Sequence, residues 1–482
     1  MTELRHSQLN VKDISFINSI KSLAVIGASK KRDYYFFKNH AEDFKGNAYA
    51  VHSKIKEIPG FDPGKIVSSL GEINEDIDYV WISLPASQIL DVIDECLIKG
   101  VKLATIFTSE FSDSGTEEGV KLEEELLKRA QNKLRILGPN GMGLYYPRLG
   151  IAWRPGFSKT AGNIGLIAQS GGMCNIAIYG AKSFGINFSK VFSFGNGADL
   201  DFVDLLYFLS KDPETSIILC YLEGIKENRI DDLKEILNDN EKPIIVLKGG
   251  KSESGSIAAK THTASIAGNN ELWKSFFKQN NIIEVDSLEQ LLHIAQIIDF
   301  YGIFELNKIA ICSISGGYGV VLVDLVEKYG IRVPSFSNDI QKKIRSKFFM
   351  PGTSPKNPLD LAAHFFFERF VYDIIDIVLT DKNIDGLILD MPSFYLSPVF
   401  SRERYTQDFE STMIKTLSLG HKYKKPIIPI IQRLNRPSDR ERLYNKLTKE
   451  KVPVFGDPLE FIPLFQKISE YKRKQEKEGS ST

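Results

Sequence analysis

The chain lacks an excess of either charge: Lys and Arg total 61, Asp and Glu total 61, and the formal net charge is zero. That balance provides no basic field for nucleic acid or for an anionic membrane surface. Cysteine is scarce. Cys96, Cys174, Cys220 and Cys312 are scattered, with no CxxC pair. Such spacing argues against a disulfide framework and against zinc, so no metal site is expected, and it predicts a reducing, cytoplasmic setting. No run approaches the ~18 apolar residues that span a bilayer, and MTELRHSQLN has no apolar core of a signal peptide. A complete GxGxxG fingerprint is missing, as is an acidic residue placed for a ribose, which counts against a nicotinamide dehydrogenase.

What is present reads as globular. Apolar residues make up 43% and charged residues 25% of 482 positions, ample for a core, and the length suggests roughly three domains of ~150 residues. SLAVIG, NAYAV, DYVWISL and VKLATIF are short apolar runs separated by helical spacing such as SQILDVIDECLIKG. Strands alternating with helices imply parallel sheets. LRILGPNGMG ends this segment, and a polar connection follows from about Leu144 to Gly162.

The pattern then repeats. NIGLIA, FSKVFSF, SIILCYL, PIIVLK and NIIEV read as strands, with DFVDLLYFLS, DDLKEILND and LEQLLHIAQIIDF as helices. A third unit opens at LNKIAICSIS and counts KEKVPVF, DGLILDM and KPIIPII among its strands. The expectation is α/β with three consecutive doubly wound domains, at residues 1–150, 151–303 and 304–470, and a polar tail at 471–482. IAQSGG and ISGGYG open units two and three alike, which suggests an internal duplication.

Several turns carry chemistry. At Gly27, Ala28 and Ser29 the first strand meets its turn, where a ligand phosphate can approach backbone at a helix start. An ordinary tight turn would use the same residues. Lys54, in VHSK after the second strand, suits a phosphate-bearing nucleotide. Gln169, Ser170, Gly171 and Gly172 form a sharper case: strand, Ser-Gly-Gly, helix. Backbone N–H groups, a hydroxyl and a helix dipole converge there without any cation, although steric need alone also selects glycine. Glu223 closes SIILCYL at the carboxyl edge of a strand. It either caps the next helix or accepts a hydrogen bond from an imidazole, freeing the other ring nitrogen as nucleophile. Of seven histidines, only His262, in KGGKSESGSIAAKTHTASIAG, has small hydroxyl-rich flanks. His293 falls in an apolar helical pattern and reads as packed, and His364 is placed to line a pocket.

With these stretches in order, the chain resembles the α-subunit side of the NDP-forming acyl-CoA synthetases, such as ADP-forming acetate–CoA ligase, relatives of succinyl-CoA synthetase. SLAVIGAS, LGPNGMG, GLIAQSGG, FSFGNGADLDFVDLL, CYLEGIKE, KTHTASIAG and SPKNPLDLAA carry the likeness over most of the chain. The resemblance implies a Rossmann-like CoA-binding domain followed by two flavodoxin-like domains, the last a ligase-CoA domain. It implies phosphorylation at His262, steadied by Glu223, with Gln169–Gly172 binding phosphate. Gly27, Ala28, Ser29 and Lys54 would contact CoA, and Pro139 and Asn140 would lie near its thiol. The implied reaction interconverts acid, CoA and ATP with acyl-CoA, ADP and phosphate. The chain departs from the family pattern after GAS, where KKRDYYFFKNH replaces a Pro and Gly start and leaves Lys30, Lys31 and Arg32 to meet CoA phosphates. VHSK stands for VNPK, and Ala264 replaces a glycine. No ATP-grasp domain is found, so a separate β subunit carrying ATP/ADP and Mg is expected, in an assembly such as α2β2. A non-catalytic CoA-binding or regulatory protein that kept the fold is the alternative.

Overall fold

A computed structural model describes residues 9–257, 270–349, 351–391, 403–433 and 437–479. The first sheet contains β1 (Ser22–Ile26), β2 (Asn47–Val51), β3 (Ile66–Val67), β4 (Tyr79–Ile82), β5 (Leu103–Ile106) and β6 (Arg135–Leu137). Their order is β3-β2-β1-β4-β5-β6 and every pairing is parallel. This is the strand order of a dinucleotide-binding fold. All five residues of β1 and all four of β4 and β5 are buried, which explains why these strands read as unbroken apolar runs: helices cover both faces. Local signals set the helix ends. Thr116 caps the helix Glu117–Ala130 by accepting from the Gly119 N–H. Gly100, at φ 73°, ends Ile89–Lys99 in the left-handed region.

The second sheet holds β7 (Gly143–Tyr145), β8 (Ile164–Ala168), β9 (Phe188–Ser193), β10 (Ile217–Leu222), β11 (Ile244–Lys248) and β12 (Ile283–Val285), in the order β12-β11-β10-β8-β9-β7. The parallel part is the flavodoxin order, and β7 runs antiparallel to β9 at its edge. The third holds β13 (Ile309–Ser313), β14 (Leu359–Asp360), β15 (Gly386–Asp390) and β16 (Ile427–Ile430), in the order β14-β13-β15-β16. Its first four strands follow the same winding as β8 to β11. The likeness extends to the turns after β8 and β13, where Ser170 and Ser315 each cap a helix by accepting from the backbone N–H three residues on, at 3.4 Å.

The chain divides into two compact units, Met1–Lys182 with Ile186–Leu291, and Ser183–Gly185 with Leu292–Thr482. The first two sheets therefore share a unit. Their common core includes Leu23, Trp81 and Leu103 from one sheet and Phe192, Val203 and Leu206 from the other side.

Some expected elements differ. The stretch from Leu144 to Gly162 is no polar connection: it begins in β7 and buries Tyr145, Tyr146, Trp153 and Phe157, aromatics that hide in a sequence with few aliphatics. KEKVPVF is not a strand beyond Phe455, which makes one bridge to Ile430. The short strands β3, β7 and β14 have no run long enough to announce them. The polar stretch after Tyr471 is helical to Gly479.

Candidate functional site

The site grows from the carboxyl ends of β8 and β10. The helix Gly171–Ala181 begins directly after Ser170, which has extended backbone and caps it. The N–H groups of its first turn face outward beyond the strand, the arrangement that attracts an anion. A methyl group at Gly171 would overlap the Met142 side chain, so the glycine keeps that approach open. Gln169 is buried and points sideways. Its Oε1 accepts from the Glu223 N–H at 2.9 Å, while its own N–H donates to the Tyr221 carbonyl at 3.2 Å. Ser170 and Glu223 thus sit on neighbouring strand ends.

Glu223 is 5% exposed. The Tyr221 hydroxyl donates to its Oε1 at 3.0 Å, and burial, reinforced by the neighbouring carboxylate, pushes the phenol's pKa up. Lys248, at the end of β11, closes the site from the next strand. It is buried, and its Nζ donates to the Glu223 carbonyl at 2.8 Å and to the Gly249 carbonyl. Burial pulls its pKa down to about 8, opposed by the Glu223 charge. The ammonium also lies 5.6 Å from the centre of the Trp273 ring. The sequence signal of Lys248 is a single cation ending an apolar run. His262 lies outside the described residues, as do its immediate neighbours.

Pro139 and Asn140 lie in the turn after β6, where the Gly138–Pro139 peptide is cis and Asn140 has φ 59°. The Asn140 N–H donates to the Thr108 carbonyl at 2.9 Å. A cavity of about 290 Å³ joins Asn140 to Gln169, Ser170, Gly171 and Gly172, with Phe107 and Arg154 also on its wall. The turn near the expected thiol and the phosphate cradle therefore open into one space. Arg154 falls in the stretch that reads from sequence as a polar connection, where an arginine beside Pro155 and Gly156 gives no periodic signal.

The GNGADLDFVDLL stretch builds the frame around this cavity. The Asn196, Ala198 and Leu200 N–H groups donate to the carbonyls of Pro139, Gly138 and Ile136. The Asp199 carboxylate accepts from the Ile136 N–H at 2.8 Å. Asp201 and Asp204 form a capping box on the helix Phe202–Lys211 and both bind Arg229. Lys12 donates to Asp204 at 3.1 Å, so the segment before β1 is tied down as well.

The first turn differs from its expectation. Gly27 has φ 95°, and a methyl there would overlap the Ser83 carbonyl oxygen, so its glycine is required by the close approach of β4. Ala28 is buried, and no α-helix starts at Ser29. Lys30–Arg32 forms one 3₁₀ turn, Asp33 and Tyr34 are left-handed, and the helix begins only at Tyr35. The cause lies in the aromatics of KKRDYYFFKNH: Phe37 is fully buried, and the Phe36 ring centroid lies 4.4 Å from that of Trp81 and 5.3 Å from that of Phe107. Lys30, Lys31, Arg32 and Lys54 are exposed. The other singled-out histidines are packed. His293 is buried, its pKa lowered to about 4 by burial. His364 is buried against Phe348, Phe349 and Phe370.

Among the described residues, no group of three or more His, Cys, Asp or Glu could hold a metal ion, and no helix is long and apolar enough to cross a membrane. The four cysteines are free and buried.

Comparison with known proteins agrees with this layout. A CoA binding domain model matches residues 21–147, and a succinyl-CoA ligase like flavodoxin domain model matches residues 161–298. The α subunit of ADP-forming acetate–CoA ligase II from Pyrococcus furiosus is 32% identical over 446 residues, 91% of this chain and 93% of that protein. The ADP-forming acetate–CoA ligase of Methanocaldococcus jannaschii is 34% identical over 72% of this chain, which matches 49% of that longer protein. A solved structure of a dinucleotide-forming acetyl-coenzyme A synthetase 1 from Ca. Korarchaeum cryptofilum, in complex with phosphate and ADP, superposes with a TM-score of 0.82 at 28% identity, covering 96% of this chain and 97% of that one.

Proposed function

We propose, from the premise that the chain belongs to the ADP-forming acetate–CoA ligase family, that it is the α subunit of an ADP-forming acyl-CoA synthetase. It interconverts acid, CoA and ATP with acyl-CoA, ADP and phosphate. In the forward sense the γ-phosphoryl group of ATP moves to a ring nitrogen of His262 and ADP leaves. A carboxylate oxygen of the acid then attacks phosphorus, the P–N bond breaks, and an acyl phosphate forms. The CoA thiolate attacks its carbonyl carbon and phosphate departs.

The observation that carries the reading is the shared cavity between Asn140 and the Gln169–Gly172 turn. Phosphoryl transfer depends chiefly on positioning and on charge stabilisation. The N–H groups after Ser170 supply the second without a cation, and such donors are worth on the order of 10²–10³ in rate when aimed at developing charge. Glu223 orients the imidazole of His262 and stabilises its positive charge once phosphorylated. Lys248 holds the peptide that carries Glu223. Gly27, Ala28, Ser29 and Lys54 contact CoA, and Pro139 and Asn140 flank its thiol. ATP, ADP and Mg reside on an ATP-grasp β subunit, in an assembly such as α2β2, in the cytoplasm. The greater length of the Methanocaldococcus jannaschii relative leaves room for such a domain within one chain there.

The test is to incubate the chain with acetyl phosphate, or with a co-purifying ATP-grasp chain and ATP, and to look for acid-labile phosphate. Label at His262, abolished in His262→Asn, is expected. No label would favour a CoA-binding protein without catalysis, a reading to which the displaced start of the first helix lends some support.

A further inference from the structure

In the chain, His262 lies between the end of β11 and the helix Asn270–Gln279. One side chain touches both of those elements. Lys248 is the last residue of β11 and is 4% exposed. Its Nζ donates to the carbonyl of Gly249, where the chain leaves the strand. Its ammonium lies 5.6 Å from the centre of the Trp273 ring, on the helix to which the chain returns. The third contact is the Glu223 carbonyl, at 2.8 Å. Lys248 therefore joins the departure and the return of the His262-bearing segment to the strand end that carries the carboxylate.

The departure is also held against Glu223 directly. The Gly249 N–H donates to the Leu222 carbonyl at 2.9 Å, which continues the β10–β11 pairing past its last strand residues. A methyl group on Gly249 would lie 2.9 Å from the Tyr221 hydroxyl oxygen and 3.3 Å from the Glu223 Cγ. Lys251 fastens the next residues outward, paired with Glu284 at 2.7 Å and with Asp286 at 2.9 Å. A buried charge at 248 is costly. An apolar side chain would pack on Trp273 as well, and an ordered water could serve the two carbonyls. What a fixed cation adds is stiffness: charged donors make shorter and stronger hydrogen bonds than neutral ones, and this one holds two main chains at once.

We infer that Lys248 is a positioning residue for phosphoryl transfer, its ammonium setting the distance between Glu223 and the segment that carries His262. The inference rests on the phosphohistidine reading and deepens it. A neutral amine would keep its place but lose the charge that strengthens both carbonyl bonds and draws it to the Trp273 face. One proton then has two effects of opposite sign. Burial pulls the Lys248 pKa down to about 8, so the fold gains as pH rises above that value, whereas the transfer loses. A residue serving stability alone would show only the gain. The groups around it leave this window clear. Glu223 and Glu284 supply the neighbouring negative charge. Burial pushes the Tyr221 phenol up, and Lys251 stays charged because Glu284 and Asp286 outweigh its burial. An imidazole with the ordinary pKa of about 6.5 is already neutral there.

The experiment measures the initial rate of phosphate labelling of the full chain by acetyl phosphate from pH 7.5 to pH 9.5, for the wild type and for Lys248→Met. The wild-type rate should fall about fivefold or more, with a midpoint near pH 8. Lys248→Met should start about tenfold or more lower, the scale of a small misplacement, and stay level. A wild-type rate that is level or rises across the window overturns the inference, whether or not the variant folds. So does a Lys248→Met chain that labels at the wild-type rate or keeps the wild-type decline. No label in the wild type at any pH removes the phosphohistidine and this role with it; label with a level profile removes the role of Lys248 alone.

Discussion

Lys248 illustrates how one buried side chain serves a neighbour's backbone. Its ammonium is desolvated and held by two carbonyls, one of them that of Glu223. Its folded pKa, about 8, lies below the ~10.4 of a lysine in an unfolded chain. Between about pH 8 and pH 10 the unfolded state therefore binds more protons, so the contribution of this site to stability rises with pH across that window. Lys248→Met removes the effect. The melting temperature of the wild type relative to the variant should climb from pH 7.5 to pH 9.5, as scanning fluorimetry would read. Glu223→Gln keeps the shape but loses the charge. Phosphate labelling should fall by roughly 10²-fold or more, the scale at which an orienting group acts in proton and charge management, with melting little changed. A rate of labelling that survives this substitution would remove Glu223 from the chemistry. At this scale the sequence was informative where a residue ended a strand, as Glu223 and Ser170 do. It was silent on Arg154, because an irregular segment has no period from which to read a direction.

Among the elements, the glycines of GNGADLD are the telling ones. Gly195 has φ 55°, and any side chain there would overlap the Pro139 carbonyl oxygen. Gly100 also has positive φ, at 73°, but open space around it. Gly100→Ala should cost about 1–2 kcal/mol from backbone strain alone. Gly195→Ala should cost more than that, because strain and a backbone clash add, and urea unfolding of the two variants would rank them. The strand and helix pattern was legible because buried parallel strands have no alternation to confuse with a surface strand. The start of the first helix was not legible. Phe36 and Phe37 draw the chain inward before the helix begins, a tertiary packing effect with no local signature. The stretch from Leu144 to Gly162 misled for a related reason: four buried aromatics do as much as a longer aliphatic run, at lower density along the chain.

For the molecule as a whole, sequence grammar yields three sheets, and the packing yields two cooperative bodies. The first two sheets share a core that includes Trp81 and Phe192, while Ala310, Ile388's neighbour Leu389 and Leu447 belong to a separate cluster in the second unit. Scanning calorimetry of the full chain should therefore resolve two transitions. Three would show that the first two sheets unfold independently and that the shared core contributes little. The strand orders recur between the second and third sheets, and so do the capped turns at Ser170 and Ser315, which makes the duplication a property of backbone winding as well as of the Ser-Gly-Gly words. The ribbon from Asn196 to Leu200 adds a mechanical constraint. Separating the Asn140 turn from the Ser170 turn would break its main-chain hydrogen bonds to Pro139, Gly138 and Ile136. Those two turns therefore act as a fixed vise rather than as jaws on a hinge, and whatever travels during the reaction must travel to them.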